Sequence, residues 1–163
     1  LPLSALVSPT GDDDTRMLYG WQSVAEWVKR EAAVFAEQPL LLTTDYRSAS
    51  ALAYVWGEPS VIALSGRIDQ FDFWYDPAAL AGRDAILVGD RWHPICPTHL
   101  AMFERTDAPT TLEVQRLGID IKTYTLLRGY GFRAQGATAD PFSPNYPLAF
   151  TSDGETCAAT NPS

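Results

Sequence analysis

The sequence predicts an α/β fold, namely a three-layer α/β/α sandwich with a mainly parallel sheet and an antiparallel edge hairpin. An apolar run, an amphipathic helical pattern and a second apolar run follow one another over residues 40–64, which predicts a βαβ unit. A third strand-like run covers 85–89. The runs 112–117 and 119–127, separated near Gly118, predict the hairpin.

Length and composition indicate one globular domain. The chain has 163 residues, of which 46% are hydrophobic and 20% are charged, enough apolar surface for a core. Its net charge of -8 disfavours nucleic acid as a partner, because the phosphate backbone repels an acidic protein. The sequence contains no apolar stretch of about 20 residues. It begins with Leu1, so we interpret it as a segment of a longer protein, with a processed mature chain as the alternative.

Three regions follow from this composition. Residues 1–15 are predicted to be a linker, 16–133 the soluble α/β domain, and 134–163 an irregular tail rich in small and polar residues. The acidic run 12–14 favours a helix N-terminus over a calcium site. Apolar residues at helical spacing from Trp21 onward predict an amphipathic helix that ends before Pro39.

The central elements follow in order. Residues 40–44 are predicted to form a buried strand, with Asp45, Tyr46 and Arg47 as the turn at its carboxyl end. A helix over 48–56 and a strand over 60–64 complete the βαβ unit. Beyond them, 77–81 predicts one helical turn, and 92–104 predicts a loop with a short helix near Pro97.

Known catalytic signatures are missing from the sequence. It has neither a Gly-x-Ser-x-Gly elbow nor a phosphate-binding glycine loop. His93, Cys96 and His99 are spaced like metal ligands, but Pro94 and Pro97 interrupt them and a structural zinc site needs four. We therefore expect no metal, no cofactor and no catalytic residue in this segment.

The most informative segment for binding is 67–74, where polar side chains alternate with aromatic ones. Carboxylates, amides and guanidinium groups next to aromatic rings are suited to sugar hydroxyls and apolar sugar faces. An edge strand with inward-packed aromatics would have the same composition, and Asp69 with Asp72 could form a glycosidase pair. Because ligands favour the carboxyl ends of strands, the candidate substrate-binding residues are Asp45, Arg47, Arg67, Asp69, Gln70, Asp72 and Trp74.

Several segments together resemble a known family. Leu-Thr-Thr-Asp-Tyr (42–46), Arg-Ile-Asp-Gln-Phe-Asp-Phe-Trp (67–74) and Arg-Gly-Tyr-Gly-Phe (128–132) occur in this order. The region 16–132 resembles the C-terminal soluble domain of bacterial protein-mannosyltransferase-like and aminoarabinose-transferase-like membrane glycosyltransferases. The segment 70–74 is the most specific part. Asp69 departs from the asparagine common in that family.

The resemblance implies an accessory role. Such enzymes use a polyprenyl-phosphate sugar at the periplasmic face of the cytoplasmic membrane, with the catalytic carboxylate in an upstream loop. The implied partners are the upstream transmembrane domain and a glycan or lipid-linked sugar. An oxidising location would permit a disulfide between Cys96 and Cys157. A free-standing periplasmic carbohydrate-binding module and a small soluble hydrolase remain the alternatives.

Overall fold

The structure is a computed structural model, and it describes residues 19–57, 60–64 and 77–133. The predicted linker and tail, the acidic run 12–14 and six of the candidate residues lie outside these ranges. Those six are Arg67, Asp69, Gln70, Asp72, Trp74 and Cys157.

Four helices and six strands occur in the described residues. The helices are α1 (Trp21–Ala32), α2 (Tyr46–Trp56), α3 (Pro77–Leu80) and α4 (Pro97–Leu100). The strands are β1 (Leu40–Thr43), β2 (Val61–Ala63), β3 (Ala85–Asp90), β4 (Phe103–Thr106), β5 (Thr110–Arg116) and β6 (Ile119–Phe132).

The six strands form one mixed sheet in the order β2-β1-β3-β6-β4, with β5 also paired to β6. β1 runs parallel to β2 and to β3, as the βαβ prediction requires. β6 runs antiparallel to β3, β4 and β5. The α/β class is confirmed. The mainly parallel sheet is not, because three of these five pairings are antiparallel, and the described residues do not confirm the three-layer sandwich.

Two strands differ from the prediction. β6 continues to Phe132 and lies inside the sheet, between β3 on one side and β4 with β5 on the other. Only β5 of the predicted hairpin is therefore an edge strand. The first two residues of β4, Phe103 and Glu104, lie in the range 92–104 that was predicted as a loop with a short helix, because the sequence Phe-Glu-Arg-Thr lacks apolar alternation.

Hydrophobic side chains pack on both faces of the sheet. One cluster joins α1 and α2 to the strands through residues such as Val28, Leu52 and Ile86. The opposite cluster includes Leu87 and Phe132 and contains residues from β4 and from α3. The two clusters therefore bury both faces of the sheet, and the buried polar residues Asp45 and Asp90 lie at the strand ends.

The helix after β1 begins earlier than predicted. Asp45 is its N-cap, and the Asp45 side chain accepts hydrogen bonds from the backbone N–H groups of Arg47 and Ser48. Tyr46 and Arg47 thus belong to the first turn of α2 rather than to a loop. A capping aspartate satisfies donors that would otherwise lack partners, which explains why the helix starts here.

The turn between β5 and β6 has two residues, Leu117 and Gly118, and the pair Arg116 and Ile119 closes it. Both turn residues have positive φ, 53° and 75°. Two-residue hairpin turns of this kind favour Asn-Gly because L side chains resist the left-handed region. Leu117 is unfavourable there and is 82% exposed, so its side chain contributes little packing.

We expect Leu117→Asn to stabilise the protein by about 1 kcal/mol, the approximate cost of a left-handed conformation for an L residue. Urea unfolding followed by circular dichroism measures the change. Gly118→Ala is the control of opposite sign, because its φ of 75° disfavours any side chain. A destabilised Leu117→Asn variant would contradict this account of the turn.

Candidate functional site

Three polar residues meet at the carboxyl ends of the parallel strands. Asp45 lies just beyond β1, and Asp90 is the last residue of the neighbouring strand β3. Lys122 lies near the beginning of β6, which reaches the same edge because it runs antiparallel to β3. All three are at least 95% buried. Buried charges at one edge of a sheet indicate either a structural ion pair or a binding site.

Asp90 and Lys122 form a buried ion pair, with 2.7 Å between Asp90 Oδ2 and Lys122 Nζ. Asp90 Oδ1 accepts hydrogen bonds from the backbone N–H groups of Trp92 and His93, both at 2.9 Å. Burial acts to raise the pKa of Asp90, but its interactions with His93 and Lys122 outweigh burial and hold that pKa well below its ordinary value. Asp90 is therefore a carboxylate whose two oxygens both have partners.

Aromatic rings enclose the Lys122 ammonium group. The centroids of Trp21, Trp92 and Tyr124 lie 5.1, 5.1 and 4.5 Å from Nζ. Such contacts attract a cation through the negative face of each ring. The Tyr124 hydroxyl donates to the backbone carbonyl of Tyr19, so the ring is fixed where the chain enters α1. Lys122 thus connects β6, the loop after β3 and the start of α1.

The loop after β3 is fixed by its own backbone. The Thr44 hydroxyl donates to the His93 carbonyl at 2.6 Å, and the Asp90 N–H donates to the same oxygen at 3.2 Å. Gly89 has no side chain where the loop folds back, and a Cβ there would lie 2.9 Å from the His93 carbonyl oxygen. These contacts determine where the His93 side chain lies.

The His93 imidazole lies between the two aspartates. Its Nδ1 is 3.6 Å from Asp45 Oδ2 and 3.8 Å from Asp90 Oδ1. Interaction with Asp90 raises the pKa of His93 above its ordinary value; burial opposes the shift and Asp45 adds to it. His93 is 31% exposed at its side chain, so it also meets solvent. It is the titratable group of this site near neutral pH.

A cavity of about 680 Å³ opens at this edge of the sheet. Asp45, Asp90, His93 and Lys122 line it on the sheet side, and Tyr54 of α2 lies at its border, where it is 88% exposed. Trp21 contributes an aromatic wall. The volume lies in the range of small-molecule sites in proteins, and a few polar groups converge on a partly aromatic surface as such sites require.

The structure brings together two of the predicted site residues. Asp45 and Arg47 both line the cavity, and the Arg47 guanidinium lies 5.7 Å from the centre of the Tyr46 ring. The candidates in 67–74 lie outside the described residues and stay predictions. Cys96 is not a free thiol, but Cys157 lies outside the described residues, so their pairing also stays a prediction.

The suspected metal ligands have other roles. His99 Nδ1 accepts a hydrogen bond from the Cys96 N–H at 2.9 Å, which caps α4, whereas His93 faces the aspartates. Within residues 19–57, 60–64 and 77–133, no group of three or more His, Cys, Asp or Glu side chains is arranged to hold a metal ion.

Two residues of the site, Asp90 and Lys122, were missed from the sequence, and His93 was considered there only as a metal ligand. Lys122 alternates with Tyr124 and Leu126 on one side of β6, and both of those are fully buried. A lysine on the inward side of a strand requires a buried anion, and Asp90 at the end of an apolar strand is such an anion. This pattern was present in the sequence. The position of His93 follows from the loop conformation, which the sequence pattern does not specify.

Comparison with known proteins adds no relative: no family model matches this chain, and neither a curated protein nor a solved structure matches it. Every helix in the described part of the chain is too short or too polar to cross a bilayer. Function must therefore be argued from the site and from the resemblance.

We expect Lys122→Met to lower the free energy of unfolding by about 3–5 kcal/mol, because it leaves the Asp90 carboxylate buried without its partner. Urea unfolding measures the loss. Lys29→Met is the matched control, since Lys29 is the other lysine of the chain and is exposed. The double variant Asp90→Asn with Lys122→Met should recover part of the loss. Equal effects of the two lysine variants would contradict a stabilising ion pair.

His93 should contribute stability that depends on pH. Because folding raises its pKa, the contribution is fully present below the ordinary value and disappears as pH rises through the raised value. The unfolding free energies of the native protein and His93→Gln should therefore differ more at about pH 5.5 than at about pH 8.5. His99, whose pKa is lowered by burial, is present in both proteins, so its opposite pH dependence cancels and the difference isolates His93. A pH-independent difference would refute the assignment.

Proposed function

We propose that this chain is the extracytoplasmic accessory domain of a membrane-embedded glycosyltransferase that uses a polyprenyl-phosphate-linked sugar. In this proposal the domain shapes or covers the donor or acceptor cavity of the whole enzyme, and Asp45 at the strand ends faces that cavity. The observation that carries it is Asp45, a residue of the cavity lining whose buried Oδ2 atom has no hydrogen-bond partner among the described residues. Ligands of open α/β sheets favour this edge.

The lining of the cavity is better suited to binding a sugar than to catalysing a reaction. Trp21 and Tyr54 offer aromatic surface, and Asp45 offers an acceptor. Asp90 and Lys122 are already paired with each other, so they hold the site in place. We assign no catalytic residue to this segment; the resemblance assigns the catalytic carboxylate to an upstream loop.

The wider assignment follows the resemblance. The partner would be the transmembrane domain of the same chain, and the location would be the periplasmic face of the cytoplasmic membrane. The three-layer sandwich belongs to the same proposal, with further helical cover expected over the face that carries Leu87 and Phe132.

A free-standing carbohydrate-binding module is the second candidate. The observation in its favour is that residues of this segment supply both an aromatic wall, Trp21, and a carboxylate, Asp45, to one cavity. Such a module would bind a sugar through the same Asp45 carboxylate but would not require a membrane-embedded partner.

The reading frame upstream of Leu1 distinguishes the two candidates. We expect it to encode several apolar segments of about 20 residues, each long enough to span a bilayer. An upstream region that encodes only a signal peptide would reject the glycosyltransferase and favour the module.

In the membrane enzyme, Asp45→Asn should lower sugar transfer by about 10-fold or more, since hydrogen bonds to charged groups contribute about 1.5–3 kcal/mol. Transfer of radiolabelled sugar from the lipid carrier measures it. Glu113→Gln removes the same charge from an exposed position on β5 and should leave transfer unchanged. Arg67→Ala and Trp74→Ala should lower transfer more than changes within 134–163. Unchanged transfer by Asp45→Asn would remove the cavity from the function, and full transfer by both Arg67→Ala and Trp74→Ala would reduce the segment 67–74 to a packing element.

A further inference from the structure

We propose that Asp45 Oδ2 recognises a hydroxyl group of a neutral sugar, and that the cavity excludes phosphate and metal cations. The inference rests on the proposed function in that a sugar-bearing ligand enters this cavity. It goes further because it states which part of a lipid-linked sugar this segment would contact: the sugar ring and not the phosphate.

Two aspartates at equivalent positions provide an internal comparison. Thr43 of β1 is paired with Val88 of β3, and two residues further along each chain segment are Asp45 and Asp90. The Oδ1 atom of each aspartate accepts from the backbone N–H groups two and three residues later. The same local hydrogen-bonding pattern therefore orients both carboxylates at the same edge of the sheet.

The two carboxylates differ in their second oxygen. Asp90 Oδ2 is 2.7 Å from the Lys122 ammonium group. Asp45 Oδ2 is buried without a hydrogen-bond partner in the described residues, and its nearest ion-pairing atom, His93 Nδ1, is 3.6 Å away. That separation is longer than a normal hydrogen bond. An acceptor left without a partner is costly, so a ligand that donates a hydrogen bond here is favoured.

The charges around Asp45 Oδ2 select the kind of donor. A phosphate oxygen at this position would approach the Asp45 carboxylate, and like charges repel. The cations nearest to it already face carboxylates: Lys122 is paired with Asp90, and His93 Nδ1 lies within 4 Å of both aspartates. A metal cation would approach His93, whose raised pKa favours the imidazolium form. A hydroxyl group carries no net charge, donates to Oδ2, and can accept from the neighbouring imidazole. A neutral polyol therefore fits where either ion does not.

Asp45→Asn tests this role with little change in shape. Asparagine is also a good N-cap, so its oxygen should keep the bonds from the N–H groups of Arg47 and Ser48. Its NH₂ group then replaces Oδ2, which converts the acceptor in the cavity into a donor. Glu113→Gln makes the same change of charge on an exposed part of β5 and serves as the matched control.

The experiment is an NMR titration of the uniformly ¹⁵N-labelled chain with three probes: methyl glycopyranosides, inorganic phosphate and calcium chloride, at constant ionic strength. We expect the glycosides to shift the amide signals of Asp45 and His93 and the indole signal of Trp21, whereas phosphate and calcium leave them unchanged. Asp45→Asn should weaken glycoside binding about 10-fold or more, and Glu113→Gln should not.

Monodeoxy glycosides give a test that needs no variant. If one hydroxyl occupies Asp45 Oδ2, one of the deoxy derivatives should bind the native chain about 10-fold or more weakly, and the others should bind normally. Equal binding of all deoxy derivatives would overturn the inference. It would also be overturned if phosphate or calcium shifted these signals, or if none of the glycosides shifted them.

These outcomes are separate from those of the proposed function. Glycoside binding through Asp45, together with an upstream region without membrane spans, keeps the inference and rejects the glycosyltransferase. Membrane spans and loss of transfer in Asp45→Asn, together with phosphate binding in the cavity, keep the glycosyltransferase and reject the inference.

Discussion

The ion pair between Asp90 and Lys122 is the interaction on which the functional edge of the sheet depends. Taking both charges out of water is expensive, and a contact of 2.7 Å offsets that cost only because each group has further partners. Asp90 accepts two backbone hydrogen bonds, and three aromatic rings surround Lys122. The pair thereby connects three separate parts of the chain and places His93 next to Asp45.

The mixed sheet is what makes this pair geometrically available. In a fully parallel sheet, a residue near the beginning of a strand lies at the opposite edge from the carboxyl ends of its neighbours. β6 runs antiparallel to β3, so Tyr124 lies opposite Asp90, and Lys122 is two residues nearer the shared edge. The departure from the predicted parallel sheet is therefore the feature that supplies a cation to a site otherwise made of strand-end aspartates.

Sequence patterns predicted the parts of the fold that depend on burial and periodicity. The strand that precedes Asp45, the helix after it and the hairpin closed at Gly118 were all recognisable, because apolar spacing and turn residues determine them. The position of Asp45 at a strand end was predicted for the same reason. The direction of β6 relative to β3 could not be predicted, since pairing between distant strands depends on tertiary packing. Nor could the position of His93, because a hydrogen bond from the Thr44 hydroxyl to the His93 carbonyl holds its loop.

The contrast between Asp45 and Asp90 shows how one local motif serves two purposes. Both aspartates terminate neighbouring parallel segments, and both orient themselves by accepting the same two backbone N–H groups. The two aspartates differ in the strands that neighbour them. β3, which ends at Asp90, pairs with β6, and β6 supplies Lys122. β1, which precedes Asp45, pairs with β2 and β3, and no lysine within the described residues forms an ion pair with Asp45. A carboxylate with partners on both oxygens stabilises the fold. The carboxylate beside it is oriented equally well, but the described residues give its buried Oδ2 atom no hydrogen bond and only an imidazole nitrogen at 3.6 Å.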